Sequence, residues 1–311
     1  INFNNLKTEN METKTSTETG IQMINPEAIF ELAERLKLMW AVKKENLLLP
    51  SGKDSGFYGI VRQDTQQVFA SAKETYEVFQ NWEMLEIVTR VAESLGTTVT
   101  RSGIFDGGAK VWVQIERPDW QINGDKVKRW STSINSFDLT TALRWGTQNL
   151  TISCQNTFWA SYRSLNTSVK HTRNMRDAVN QSLRALENIE EHDKTLFELF
   201  TNMIHTKATE EQTKKVIKLV SGVDPSQSIS QAEKLYSTRK LNIAKDVTTS
   251  ILTELSAKGN TLWGLWSGVT HYTTHKASSD NAREKSKLMG SLQRTDERIL
   301  EEIMGYIQGV V

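Results

Sequence analysis

Two histidines four residues apart, His271 and His275, stand in one Trp- and Gly-containing run at 259–275. On a helix that spacing brings both imidazoles to one face, the way helices present paired metal ligands. No acidic residue lies between them, so the His-Glu-x-x-His pattern of metalloproteases is absent. On a helical wheel Gly264, Gly268, His271 and His275 form one stripe, and Leu262, Leu265, Trp266, Val269 and Tyr272 form an apolar stripe beside it. The pattern predicts a buried helix that a neighbouring element approaches closely across the glycines, with the histidines hydrogen-bonded. A metal site on His271 and His275 is the sharper alternative.

A second set of residues combines positive charge with aromatic faces. In the run 111–116, period-two alternation puts Val111, Val113 and Ile115 on one side of a strand and Trp112, Gln114 and Glu116 on the other. Lys126, Lys128 and Trp130 share one face of the next strand, with Arg129 opposite, and Arg144 precedes Trp145. Cations that grip phosphates and rings on which bases stack are the residue types of single-stranded nucleic-acid binding, each stack contributing about 1–3 kcal/mol. The alternative is that Trp112, Trp130 and Trp145 lie under helices, with the basic residues on a solvated rim. Further on, Arg163, Lys170, His171, Arg173 and Arg176 form a basic stretch with no acid until Asp177, a local phosphate-binding candidate. Its alternative is a connector ion-paired to Glu187, Glu190 and Glu191. Cys154, the chain's one cysteine, cannot form an internal disulfide, and its strand alternation groups it with Leu150 and Ile152 on an apolar face. A catalytic thiol needs an electropositive, partly exposed setting.

These residues need elements to hold them. The chain has 311 residues, enough for two lobes, with 38% hydrophobic and 24% charged residues and a mean hydropathy of -0.47. No apolar run approaches the roughly 20 residues of a membrane helix, so the expectation is a cytoplasmic protein with no membrane partner. Thirty-eight Lys and Arg against 37 Asp and Glu exclude a uniformly basic nucleic-acid coat, and any such contact must be a local patch. Residues 1–24 are polar and non-periodic and read as a disordered leader.

Asn25, Pro26 and Glu27 start a helix over 26–38, and Asn81 is expected to cap a second that ends at Gly96. Strands are predicted at 39–49, 56–70, 97–105, 109–117, 126–134, 139–146 and 150–154, with Asp106, Gly107 and Gly108 as a hairpin turn. After Asn156 the pattern becomes helical, with helices predicted at 176–206, 209–221, 228–257, 260–276 and 285–308. The fold class is therefore α+β: a mixed or antiparallel sheet with two helices over 25–160, then an all-helical lobe over 161–311. Leu292, Ile299, Ile303, Tyr306 and Val310 recur at roughly heptad spacing, suited to self-association or to docking on their own lobe.

Five pieces in order carry a resemblance: Phe79-Gln80-Asn81; the run from Phe105 to Trp112; Cys154-Gln155-Asn156-Thr157; Lys170-His171-Thr172; and the run from Trp263 to His275. With these the chain resembles the phage/plasmid-like protein family, a domain family carried by phages, plasmids and integrated elements. The resemblance implies DNA transactions of mobile elements and names no reaction. An Arg that the family places before Cys-Gln-Asn-Thr falls on Thr151. The family's Asn-Ala, Glu and Asp of the last motif fall on Ser267-Gly268, His271 and Thr274. If those polar positions served catalysis, this member would be impaired, which favours binding or structural roles. In coarse architecture the first lobe also resembles single-strand annealing proteins.

The leading expectation is a non-enzymatic protein that binds or anneals single-stranded DNA, without cofactor. Its contacts are Lys126, Lys128, Trp130, Arg144, Arg163, Lys170, His171, Arg173 and Arg176. The rivals are an interaction module acting on host factors or on a second copy of the chain, and a metal- or His-dependent enzyme built on His171, His271 and His275.

Overall fold

The computed structural model describes residues 26–122, 124–151, 156–159, 167–186, 189–278 and 280–309. Helix α1 (Pro26–Arg35) starts on the proline and turns Ile29 and Ala33 inward. Strands β1 (Val42–Leu48), β2 (Asp54–Arg62) and β3 (Gln67–Ala72) make a three-stranded antiparallel sheet in chain order. The single strand expected at 56–70 is thus two. Arg62 and Asp64 pair at 2.7 Å across the intervening turn, and Gln66 takes φ 58° and donates its amide to the Gln63 carbonyl.

Helix α2 (Asn81–Ser94) follows, but Asn81 is not its cap. The cap is Gln80, whose N–H donates to the Glu83 carboxylate at 2.9 Å. Asn81 is buried and donates to the carbonyls of Leu38 and Trp40.

The second sheet is also antiparallel, in the order β4 (Val99–Phe105), β5 (Lys110–Ile122), β6 (Asp125–Ser136), β7 (Leu143–Thr151), β8 (Asn156–Trp159), with β9 (Thr167–Val169) pairing β7 as well. The β4–β5 turn lies where expected, with Asp106, Gly107 and Gly108 at φ 52°, 68° and 102°. A Cβ on Gly108 would also sit 3.2 Å from the Trp40 ring, so glycine is required there twice over. The strands expected at 139–146 and 150–154 are one strand, β7, because Gly146 continues the ladder opposite Thr132. Cys154 lies outside the described residues.

Helices α3 (Met175–Leu186), α4 (Ile189–His205), α5 (Glu210–Ser221), α6 (Ile229–Leu235), α7 (Thr238–Lys258), α8 (Leu262–His275), α9 (Asp280–Met289) and α10 (Ser291–Gln308) complete the chain. The helices expected at 176–206, 228–257 and 285–308 are each two. Ser237 accepts from the Lys240 N–H and starts α7 after the extended Tyr236, and Gly290 separates α9 from α10.

Two hydrophobic clusters share the long β5–β6 hairpin. The first gathers α1, α2, Val111, Val113, Ile115, Trp145 and, from beyond the strands, Met175 and Val179. The second gathers Ile122 and Val127 with Leu196, Phe200, Val216, Ile251, Trp263, Trp266 and Ile299. Of the heptad-spaced residues of α10, Ile299 and Ile303 are fully buried in this cluster and Tyr306 packs against it, so these three dock α10 on its own lobe. Val310 lies outside the described residues.

Two features hold the helices in register. A Cβ on Gly268 would lie 2.3 Å from Ile251 Cα, and one on Gly264 2.5 Å from the Gly259 carbonyl oxygen, so α7 and α8 touch backbone to backbone at the glycine stripe. The second is a buried ion pair: Lys287 of α9 and Asp296 of α10 meet with both side chains out of solvent. Thr273 of α8 donates its hydroxyl to Asp296 at 2.8 Å and accepts from Lys287 at 3.1 Å. Gly268→Ala is expected to cost about 1–3 kcal/mol, since rigid backbone must move to admit the methyl group. Asp296→Ala, which strands a buried ammonium, is expected to cost about 3–5 kcal/mol. Urea unfolding of both variants checks the order.

Candidate nucleic-acid interface

On the face of the second sheet that carries Trp112 and Trp130, the alternation read from the sequence holds but the rings are covered. Trp112 packs with Ile134 and with Leu288 of α9, and Phe105 closes the edge. Trp130 is only 6% exposed. Arg101 of β4 lies over both indoles, its guanidinium 5.9 Å from each ring. Trp130 is therefore no open stacking platform, and Trp145 lies in the first cluster. The cations stay outside. Lys126 is exposed and pairs with Asp119 at 2.8 Å, which raises its pKa, and Lys128 stands 3.8 Å from Glu116. Arg144 is half-buried, opposite Ile134 and Ser168.

The opposite face holds a cluster that the sequence reading missed. Arg117 and Arg129 sit directly across from each other on β5 and β6, and both bind Asp193 of α4. Arg117 reaches the carboxylate in a fork, and Arg129 joins it at 2.6 Å while donating to the Pro118 carbonyl. The Arg129 guanidinium also lies 4.2 Å from the Trp120 ring, and burial pushes its pKa down to about 10. One signal was available: two arginines in cross-strand register repel unless an acid reaches both.

The basic junction is mostly consumed by structure. Arg176 forks onto Glu83 at 2.7 and 3.2 Å and reaches Glu77 at 3.3 Å, binding α3 to α2 and its lead-in. His171 stacks on Tyr76 with centroids 5.1 Å apart, and its Nδ1 lies 3.0 Å from the Glu77 carbonyl oxygen. Burial holds its pKa below the usual histidine range. Neither residue is placed to grip a phosphate. Lys170 and Arg173 are exposed, Arg173 at 4.0 Å from Glu74. Among the described side chains, the acids that meet this stretch come from 74–83. Arg163 and Glu187 lie outside the described residues, as do the side chains of Glu190 and Glu191.

On α8 the two imidazoles lie 5.0 Å apart, centroid to centroid. His271 is held below the usual histidine pKa by burial and then by His275, Lys276 and Lys258. His171 belongs to the Tyr76 stack, and among the described residues no three His, Cys, Asp or Glu side chains gather as metal ligands. The glycine stripe packs α8 against α7 at backbone distance. Beside it Lys258 meets Asp125 at 3.2 Å, Glu254 at 3.5 Å and Ser267 at 3.2 Å, and Trp263 donates its indole N–H to Asp125 at 3.4 Å.

Two antiparallel sheets backed by a helical C-terminal half define an α+β protein in which no described helix is long and apolar enough to cross a membrane. The chain belongs to the family described as a domain of unknown function, DUF932, whose model matches residues 68–298. No curated protein and no solved structure matches it.

The two depressed histidines predict a pH dependence. The folded state resists protonating His171 and His271, whereas the unfolded chain takes up those protons near pH 6.5. The unfolded state then binds more protons, so their contribution is complete above pH 6.5 and declines as pH falls below it. Urea midpoints at pH 7.5 and 5.5 test this, with a lower midpoint expected at 5.5 and a smaller drop in His271→Gln.

Proposed function

We propose that this protein binds single-stranded DNA without turnover, through phosphate contacts and not base stacking, on the sheet face bearing Arg101, Lys126 and Lys128. The observation that carries the reading is the division of roles on that face: Trp112 and Trp130 are buried under Arg101 and α9, while the cations face solvent. A polyanion meets such a face through its backbone, which makes binding sequence-independent and salt-sensitive. Lys170 and Arg173 supply further exposed cations on the junction. Phage or plasmid carriage and action in the host cytoplasm, with DNA annealing or recombination as the process served, belong to the same proposal and rest on the motif resemblance.

A second reading, an interaction module, draws on exposed apolar side chains: Leu48, Leu49 and Phe57 on the β1–β2 hairpin, and Ile229 and Leu235 of α6.

Fluorescence anisotropy of labelled single-stranded DNA against salt decides between them. Three phosphate contacts predict a slope of about -2 in log K against log salt concentration, and each of Arg101→Ala, Lys126→Ala and Lys128→Ala is expected to flatten it by about 0.7. Absence of binding at low salt, or an unchanged slope in the triple variant, removes the DNA reading.

A further inference from the structure

The two histidines of α8 stand one turn apart near its C-terminal end, and the helix brings their rings together. Both side chains are partly exposed, their ring centres lie 5.0 Å apart and their planes are inclined by 49°. An imidazole binds a divalent transition ion through one nitrogen at about 2.0–2.1 Å, which puts the ion roughly 3.2 Å from the ring centre. Two rings on one ion, at bond angles between square and tetrahedral, then have centres roughly 4.5–5.2 Å apart. The observed spacing falls inside that window. The two rings therefore share a point of reach, which residue spacing on a helix face does not by itself guarantee.

Each ring gives the ion one nitrogen, and a hydrogen bond at the other nitrogen is what orients a ligating histidine, so a partner on either ring is compatible with the site. At His271 Nδ1 no hydrogen bond locks the tautomer. Charge then selects the kind of ion. Among the described residues no third His, Cys, Asp or Glu side chain joins the pair, and Lys258 and Lys276 bring positive charge close to His271. Two imidazoles do not match a hard cation such as Mg²⁺, which needs oxygen ligands. They match nitrogen-seeking transition ions. His275 is the last residue of α8, where the negative end of the helix dipole favours positive charge.

We propose that His271 and His275 form a two-point chelate for an exchangeable divalent transition ion, Cu²⁺ in preference to Ni²⁺ or Zn²⁺, with water completing its coordination. The site is independent of the DNA reading, and either can fail without the other.

Isothermal titration of the full chain with nickel chloride in a non-chelating buffer tests it, with magnesium chloride as the control. One Ni²⁺ per chain is expected, and no binding of Mg²⁺. His271→Gln and His275→Gln each remove one arm of the chelate and are each expected to weaken Ni²⁺ binding by at least about tenfold, since losing even a supporting partner of a ligand costs that much. His205→Gln, at an exposed histidine on α4, is expected to leave the affinity unchanged. Ni²⁺ affinity that survives either α8 substitution, two independent sites in place of one, or an equal loss in His205→Gln overturns the proposal. Both α8 substitutions fall on partly exposed side chains, and if one variant does not fold the other decides.

Discussion

Asp193 places one carboxylate between two guanidiniums that the β5–β6 register sets face to face. Without it Arg117 and Arg129 would be two buried like charges, a far costlier arrangement than either alone. Because Asp193 lies on α4, satisfying the arginines also fixes where α4 crosses the sheet. Trp120 then meets Phe197 and Phe200 edge-on, and Phe200 meets Trp263 of α8. The helical half is thereby seated on the far end of the same hairpin whose near end fills the first cluster. A β5–β6 hairpin long enough to enter both clusters, and a carboxylate to neutralise its middle, are the conditions on which the rest of the packing stands.

Within the helical half, close approach and buried charge do complementary work. Glycines let α7 and α8 pack at backbone distance, which strengthens dispersion contacts but leaves little room for adjustment. The Lys287–Asp296 pair with Thr273 then ties α8, α9 and α10 by directional bonds, where apolar packing alone tolerates several arrangements. Leu288, next to Lys287, faces the other way and covers Trp112 and Ile134. Two consecutive residues of α9 thus serve two different surfaces, one polar and sealed, one apolar against the sheet.

That arrangement also constrains any nucleic-acid contact. Rings that would stack on bases are spent on packing, and the exposed cations nearby have carboxylates within reach, so an incoming phosphate must compete with Asp119 and Glu116. Such a surface favours modest, backbone-directed association over tight recognition of bases.

Local patterning determined a good deal of this molecule. The α+β class, the hairpin at Asp106 to Gly108, the inward face of Val111, Val113 and Ile115, and the glycine side of α8 all follow from period, positive φ and side-chain size, which neighbours in sequence already express. Helix interruptions at Tyr236 and Gly290 were not legible, because a Ser cap or a single glycine inside a helical pattern is weak punctuation. Neither was the fate of charge. Whether Trp130 is open, whether Arg176 holds a phosphate or Glu83, and which carboxylate reaches Arg129 depend on Arg101, Glu83 and Asp193, which lie 29, 93 and 64 positions away. Desolvation and ion pairing act through space, so only the tertiary structure could decide that the aromatic face is covered and that Arg176 and His171 are taken up by Glu83 and Tyr76.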